Sequence, residues 1–450
     1  MKSCTLKNLT KIILSLIIIF PSLVFNQSSQ MQQGGWLSSG LSVLAAEKAT
    51  KKTRKTPAMR ERIYSQLARA QKLADENKAD EGLAVLDRVK TRINQLNSYE
   101  KAMLWNFYGF IYYGKSDTPM AIKAFEKVVG QNNIPESLEL STLFSLAQLS
   151  MTTEEYQQAI NYLNSWTNVK NTALDNNGLV LKANAYYAMK DYSQAEKSIS
   201  KAVDTTFSQG KLPRENWLVL KRALHYELKH SDKMVEVSEQ LVRHYSKAKY
   251  WIELASLYGE LDKADKQLAV MEAAHQQGFV TKRMDVQTLA QLYFLNGAPY
   301  KSAKLLSESI ESGLVLENMK ILNYLAQAWT SAKEYRKAVP VLIRAANLSK
   351  SGNLDAKLAE TYIALEQWDN AIDSSQVAKK KGHLDNIGNV DMVIGIAYFN
   401  KQKFTLAIDS FEEASNDRKQ KKIAEQWLRY AEKEQYKYQQ LKQGSTDVGH

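Results

Sequence analysis

The sequence predicts an all-α fold: a right-handed α-solenoid of about ten stacked helix pairs with a C-terminal capping helix, behind an N-terminal export signal. Three observations carry this expectation. The 450 residues include only 7 Pro and 19 Gly, a scarcity that disfavours turn-rich β architectures. One template of small and aromatic residues returns ten times, at intervals of 32 to 40 residues. Within each interval apolar residues recur three and four apart, the spacing of an amphipathic helix.

The N-terminus reads as an address. Lys2, Lys7 and Lys11 precede "IILSLIIIFPSLVF" (12–25), the charged-then-apolar order of a secretory signal. The run is short for a bilayer-spanning helix, which needs about 20 apolar residues. Val43-Leu44-Ala45 offers a small-residue cleavage site after a long polar stretch, so residues 1–46 are a signal peptide or an uncleaved inner-membrane anchor. Either form leaves the body on the periplasmic side. The single cysteine, Cys4, precedes the apolar run and so does not fit bacterial lipid attachment. Residues 47–60 form a basic linker. The stretch 47–62 holds seven basic groups against Glu47 and Glu61. It is read as a solvated, mobile lead-in, beside which stands peripheral contact with a membrane surface or an acidic partner. The formal charge of +12 is concentrated at the two ends of the chain. The stretch 63–416 is nearly neutral, which removes the charge argument for nucleic acid.

Residues 61–416 are the solenoid. The clearest copies of the template place a small residue at Gly109, Ala183, Ala326, Ala359 and Gly395. An aromatic follows three residues later, at Tyr112, Tyr186, Trp329, Tyr362 and Tyr398. Alanine comes at the twelfth, at Ala121, Ala195, Ala338, Ala371 and Ala407. Weaker copies start at Ala70, Ala147, Ala223, Ala255 and Ala290, the last with one extra residue before Ala303. A small side chain belongs where two helix axes cross, because a larger one would hold the backbones apart. The aromatic one turn on fills the space beside the crossing. In the aromatic run 105–113, Trp105, Tyr108 and Tyr112 share one helical face and are expected in the core. Residues 417–442 form the capping helix, with Ile423, Trp427 and Ala431 on its covering face, and 443–450 are a disordered tail.

One stretch points elsewhere. "GFIYYGKS" (109–116) fits the phosphate-loop pattern G-x-x-x-x-G-K-[ST]. That loop needs a strand before it, permissive residues inside it and a helix N-terminus after it. Here Phe-Ile-Tyr-Tyr fills the variable positions and the repeat makes Trp105–Tyr113 a helix, so the match is accidental and no nucleotide is expected. His225, His230, His244, His275 and His383 form no i, i+4 pair, so no metal is expected. With no G-x-S-x-G, GxGxxG or Cys/His pair either, catalytic residues and cofactors are read as none.

The template resembles the tetratricopeptide repeat, whose unit is two antiparallel helices of about 34 residues. A second resemblance rests on "KTPAMRERIYSQLARAQKLADE" (55–76), "SYEKAMLWNFYGFIYYG" (98–114), "ENWLVLKRA" (215–223), "MEAAHQQGFVTK" and "TLAQLYFLNGAPYKSAKLL" within 271–306. These look like the periplasmic tetratricopeptide component of TonB–ExbB–ExbD systems in marine Gram-negative bacteria. The resemblance implies an accessory protein that helps transmit energy to outer-membrane receptors for iron carriers, with TonB, ExbB or ExbD-type components as partners. A general envelope-assembly scaffold is the alternative within the binding class. The first helix of each pair is expected to line a concave groove. Its positions facing away from the core include Phe110, Tyr113, Gln148, Asn184, Tyr187, Gln291, Phe294 and Gln327. Amides bonding a peptide backbone between covering rings is the chemistry they suggest.

Overall fold

The computed structural model describes residues 56–446; the signal or anchor expected at 1–46, Cys4 and the basic run through Lys55 lie outside the described residues. Among the described residues there are twenty-one α-helices, one short 3-10 turn and no strand. Contacts divide the chain into two compact units, with the division between Met234 and Val235.

The first unit holds four packed pairs. They are α1 (Glu61–Asp75) with α2 (Ala79–Lys90), α3 (Ser98–Gly114) with α4 (Thr118–Val129), α5 (Glu136–Thr152) with α6 (Tyr156–Lys170), and α7 (Asn176–Ala188) with α8 (Tyr192–Ser208). α9 (Glu215–Glu227) packs against α8, and the division falls inside α10 (Ser231–Tyr245). The second unit holds five pairs: α11 (Ala248–Glu260) with α12 (Ala264–Gln276), α13 (Arg283–Leu295) with α14 (Pro299–Glu311), α15 (Met319–Ser331) with α16 (Tyr335–Asn347), α17 (Asn353–Ala364) with α18 (Trp368–Lys381), and α19 (Ile387–Asn400) with α20 (Phe404–Ser415). The last helix, α21 (Lys421–Thr446), packs on α20 and continues past the end expected at 442.

The small residues do what the template requires. Ala70, Ala147 and Ala183 in the first unit, and Ala255, Ala290, Ala326 and Ala359 in the second, are all buried. Gly109 and Gly395 are buried with them, and at these two places even a methyl group is excluded. A Cβ on Gly109 would lie 2.5 Å from the Phe125 ring, and one on Gly395 would lie 2.4 Å from the Phe411 ring. Each pair then turns the same way. The residue seven after the crossing takes a left-handed backbone, as at Ser116 (φ 61°), Glu154 (φ 62°) and Lys333 (φ 58°). The next N–H donates back to the carbonyl of the residue three after the crossing, as in Asp117 to Tyr112 at 2.9 Å and Glu334 to Trp329 at 2.9 Å. This closure satisfies carbonyls that the helix end leaves open. Side-chain oxygens of Asp117, Asp191 and Asn318 accept from the first free N–H groups of the helices that follow them.

The turn bonds correct the register of two weak copies. In the fifth, His230 N–H donates to the His225 carbonyl (2.8 Å) and Lys229 is left-handed (φ 57°). The crossing position is therefore Arg222, not Ala223, and His225 takes the aromatic place. In the seventh, Gly297 (φ 74°) and the Ala298 to Tyr293 bond keep the usual spacing from Ala290. No residue is inserted: fully buried Ser302 holds the twelfth position, with Ala303 buried beside it.

Both ends of the described chain are tied down. The lead-in is not free where it meets the first helix. Arg60 donates to fully buried Glu100 through its backbone N–H (3.0 Å), Nε (2.8 Å) and Nη2 (2.6 Å). Asn97 Nδ2 donates to the Ala58 carbonyl at 2.8 Å. The guanidinium holds the Glu100 carboxyl down at about 2. At the other end, Trp427 stacks on Phe411 (5.6 Å) and meets Phe399 edge-on (5.6 Å). The covering face is Ala424, Trp427, Leu428 and Ala431. Ile423, expected there, is 50% exposed, because its place one residue before Ala424 turns it outward.

Candidate functional site

On a first helix, the positions three before, one after and four after the crossing residue share a face. In the first unit this face carries Phe110 and Tyr113 on α3, Gln148 on α5, and Asn184 and Tyr187 on α7, all half-buried. In the second unit it carries Gln291 and Phe294 on α13 and Gln327 on α15. The eight expected residues therefore form two sets, one in each unit.

The rings are partly committed to packing. Phe110 meets Phe125 edge-on at 5.4 Å, and Tyr187 lies 5.6 Å from Tyr192. Phe294 packs against the core of the second unit and sits 5.6 Å from Tyr324, whose hydroxyl donates to the Ala290 carbonyl (3.3 Å). Burial pushes the Tyr187 hydroxyl up, with Glu227 and Tyr192 adding to the effect, so it stays a neutral donor. The amides differ. Gln148, Asn184, Gln291 and Gln327 make no side-chain hydrogen bond among the described residues, and the last two are exposed. Asn106 joins them on α3, three residues before Gly109. It is 6% exposed and equally without a side-chain hydrogen bond. Its spacing from Phe110 was the available signal, but an amide inside an aromatic run reads first as core.

The apparent phosphate loop lacks the preceding strand and the open turn that a phosphate needs. Gly109 lies inside α3, packed under Phe125, and Gly114 ends that helix. Lys115 Nζ pairs with Asp80 at the start of α2. The N-terminus of α4 is occupied by its own carboxylate, with Asp117 Oδ1 accepting from Met120 N–H at 3.2 Å. Trp105, Tyr108 and Tyr112 pack on the first unit's core, and the Tyr108 hydroxyl donates to Asp87 (2.5 Å).

Elsewhere in the second unit, a cleft of about 370 Å³ opens beside the loop between α14 and α15, spanned by the Arg344–Glu317 ion pair (3.1 Å). It contains none of the eight residues. Among the described residues, no group of three or more His, Cys, Asp or Glu is placed to hold a metal, and no helix is long and apolar enough to cross a membrane.

Comparison with known proteins matches one of the pairs to a family. Residues 177–207 match the tetratricopeptide repeat, a span that covers nearly all of α7 and of α8. Similar solved structures include YrrB, a tetratricopeptide repeat protein with an unusual peptide-binding site (14% identity, 41% of this chain, 94% of that chain, TM-score 0.34). Another is the TPR2AB-domain:pHSP90 complex of yeast Sti1 (15% identity, 60% of this chain, 98% of that chain, TM-score 0.31). A third is the Cut9–Hcn1 hetero-tetramer of the APC/C (15% identity, 83% of this chain, 97% of that chain, TM-score 0.32). Among curated proteins none matches the chain. One repeat is therefore matched at α7–α8, and the other pairs of both units share its crossing and its turn.

Proposed function

We propose that the protein is a non-enzymatic periplasmic adaptor that binds extended segments of partner proteins on the exposed face of its first helices. We further propose that it serves a TonB-type energy-transduction complex supporting uptake of iron carriers. The observation that carries the binding reading is the pairing of unbonded amides with half-buried rings on one face, at Gln148 and Asn184 beside Phe110, Tyr113 and Tyr187. Asn and Gln both donate and accept, so they can meet either edge of an extended backbone while rings cover its side chains. The periplasmic placement rests on the charged-then-apolar N-terminus, and the TonB assignment on the sequence resemblance alone. Deleting the gene and measuring iron-carrier uptake tests the assignment. Uptake should fall while the envelope stays intact; normal uptake with a defective envelope would mean an assembly scaffold instead.

A further inference from the structure

We infer that the face of α3, α5 and α7 is built for an uncharged stretch of polypeptide. This rests on the groove reading above and goes further, to the chemistry of the segment bound. Taking the three offsets that share the face, no residue on these three helices is charged. Over all ten first helices the same offsets hold one charged side chain, Glu360, which accepts from Asn389, although 24% of the chain is charged. All nine of these positions on α3, α5 and α7 are buried or half-buried, so a charge brought against them is partly desolvated.

The consequence is electrostatic. A lysine or glutamate laid against Phe110 and Tyr113 would lose water and meet no charged side chain at the three offsets, and an unpaired desolvated charge is strongly unfavourable. Of the nearby charges, Lys182 Nζ donates to Asn164 Oδ1 (2.9 Å), and Glu227 on α9 acts on the Tyr187 hydroxyl alone of the three rings. An uncharged backbone has the opposite fit. The patch supplies amides at Asn106, Gln148 and Asn184 that make no side-chain hydrogen bond and can meet a backbone.

The test is selection of random 16-residue peptides on the full-length protein, with counter-selection on a Gln148→Ala/Asn184→Ala variant whose melting curve is checked against wild type. Enriched peptides that depend on the patch should be uncharged over their central residues. Their affinity should change less than about twofold between low and high salt, because screening acts on charges. Gln148→Lys should improve binding of a singly Glu-substituted version by about tenfold, a gain that loss of folding cannot imitate. Patch-dependent peptides rich in acidic or basic residues, or steep salt dependence, overturn the inference while leaving the groove reading intact. No patch-dependent peptide at all removes the groove reading, and this inference with it.

Discussion

The pair at Gly109 and the pair at Ala326 solve one packing problem with opposite partners. In the first, a crossing residue without Cβ faces Phe125; in the second, alanine faces Leu342, and all four residues are buried. The residue sixteen after the crossing is phenylalanine at the two glycine crossings, Gly109 and Gly395, and at no other crossing in the chain. Opposite the alanines stand Leu86, Leu163, Ile199, Met271, Leu306, Leu342 and Ser375. At the glycines the two positions share one volume, and the Cβ missing on one side is replaced by a ring on the other; Ala359 opposite Ser375 is the exception. This follows from the near-crystalline density of protein interiors.

The comparison breaks most sharply if the volume is overfilled. Gly109→Leu should cost about 3 kcal/mol or more, since its Cβ alone would fall 2.5 Å from Phe125. Ala326→Leu should cost less, because Leu342 is flexible where a phenyl ring is not. Denaturant titration of both variants checks the order, and equal losses would remove the shared-volume account.

A third kind of pair is the fifth, where Arg222 and His225 replace the small residue and the aromatic. His225 is 1% exposed and its Nδ1 has no partner. Burial is the main force holding it down to about 4, assisted by Lys221, Lys233 and His230 and opposed by Glu196. The folded pKa is below the unfolded value of about 6.5, so the unfolded chain binds more protons in between. Stability is therefore full above about pH 6.5 and is lost as the pH falls toward 4, by on the order of 2 to 3 kcal/mol. His225→Phe, which supplies the aromatic found elsewhere, should flatten melting temperature against pH over that window. An unchanged pH slope would show that His225 is not its source.

A smaller change sharpens the glycine case. Gly109→Ala should cost about 1–2 kcal/mol, with the contact strain opposed by alanine's better helix propensity. Phe125→Leu in the same chain should return part of it, because the Ala–Leu combination is the one at Ala326. Additive losses in the double variant would mean that the positions do not share space.

These relations also mark how far the sequence could be read. The crossing residues were legible because a single atom decides whether two backbones approach, so Gly or Ala recurs wherever helices cross. Arg222 was missed because Ala223 beside it looks right by size, and only the bond from His230 to His225 fixes the register. The neighbouring Ile423 and Ala424 were exchanged for the same reason: one residue is 100° around a helix, and hydrophobicity favours the wrong one. Buried charges were not legible at all. Asp355 and Asp391 are paired with Lys381 (2.8 Å) and Lys379 (2.8 Å), which converge from the last turn of α18. Nothing in the sequence marks those four residues out from solvated charges. The candidate face was legible in part: its amides could be placed by spacing, whereas the engagement of Phe294 with Tyr324 depends on the following pair.

The smallest expected effect concerns the lysine of the apparent phosphate loop. Lys115 and Lys401 hold the same place, six residues after Gly109 and Gly395, and pair with Asp80 and Asp369 of the preceding pairs. Both aspartates are largely exposed, so water competes for each ion pair and salt screens it. Lys115→Ala and Lys401→Ala should therefore each leave stability almost unchanged, and the small effect should shrink further in high salt. A nucleotide site would separate them: Lys115→Ala would abolish micromolar ATP binding while Lys401→Ala left it intact. Calorimetric titration with Mg-ATP should give no heat of binding for wild type or either variant. Asp117 already accepts the N–H of Met120 at the start of α4, and its negative charge stands where a phosphate would have to enter.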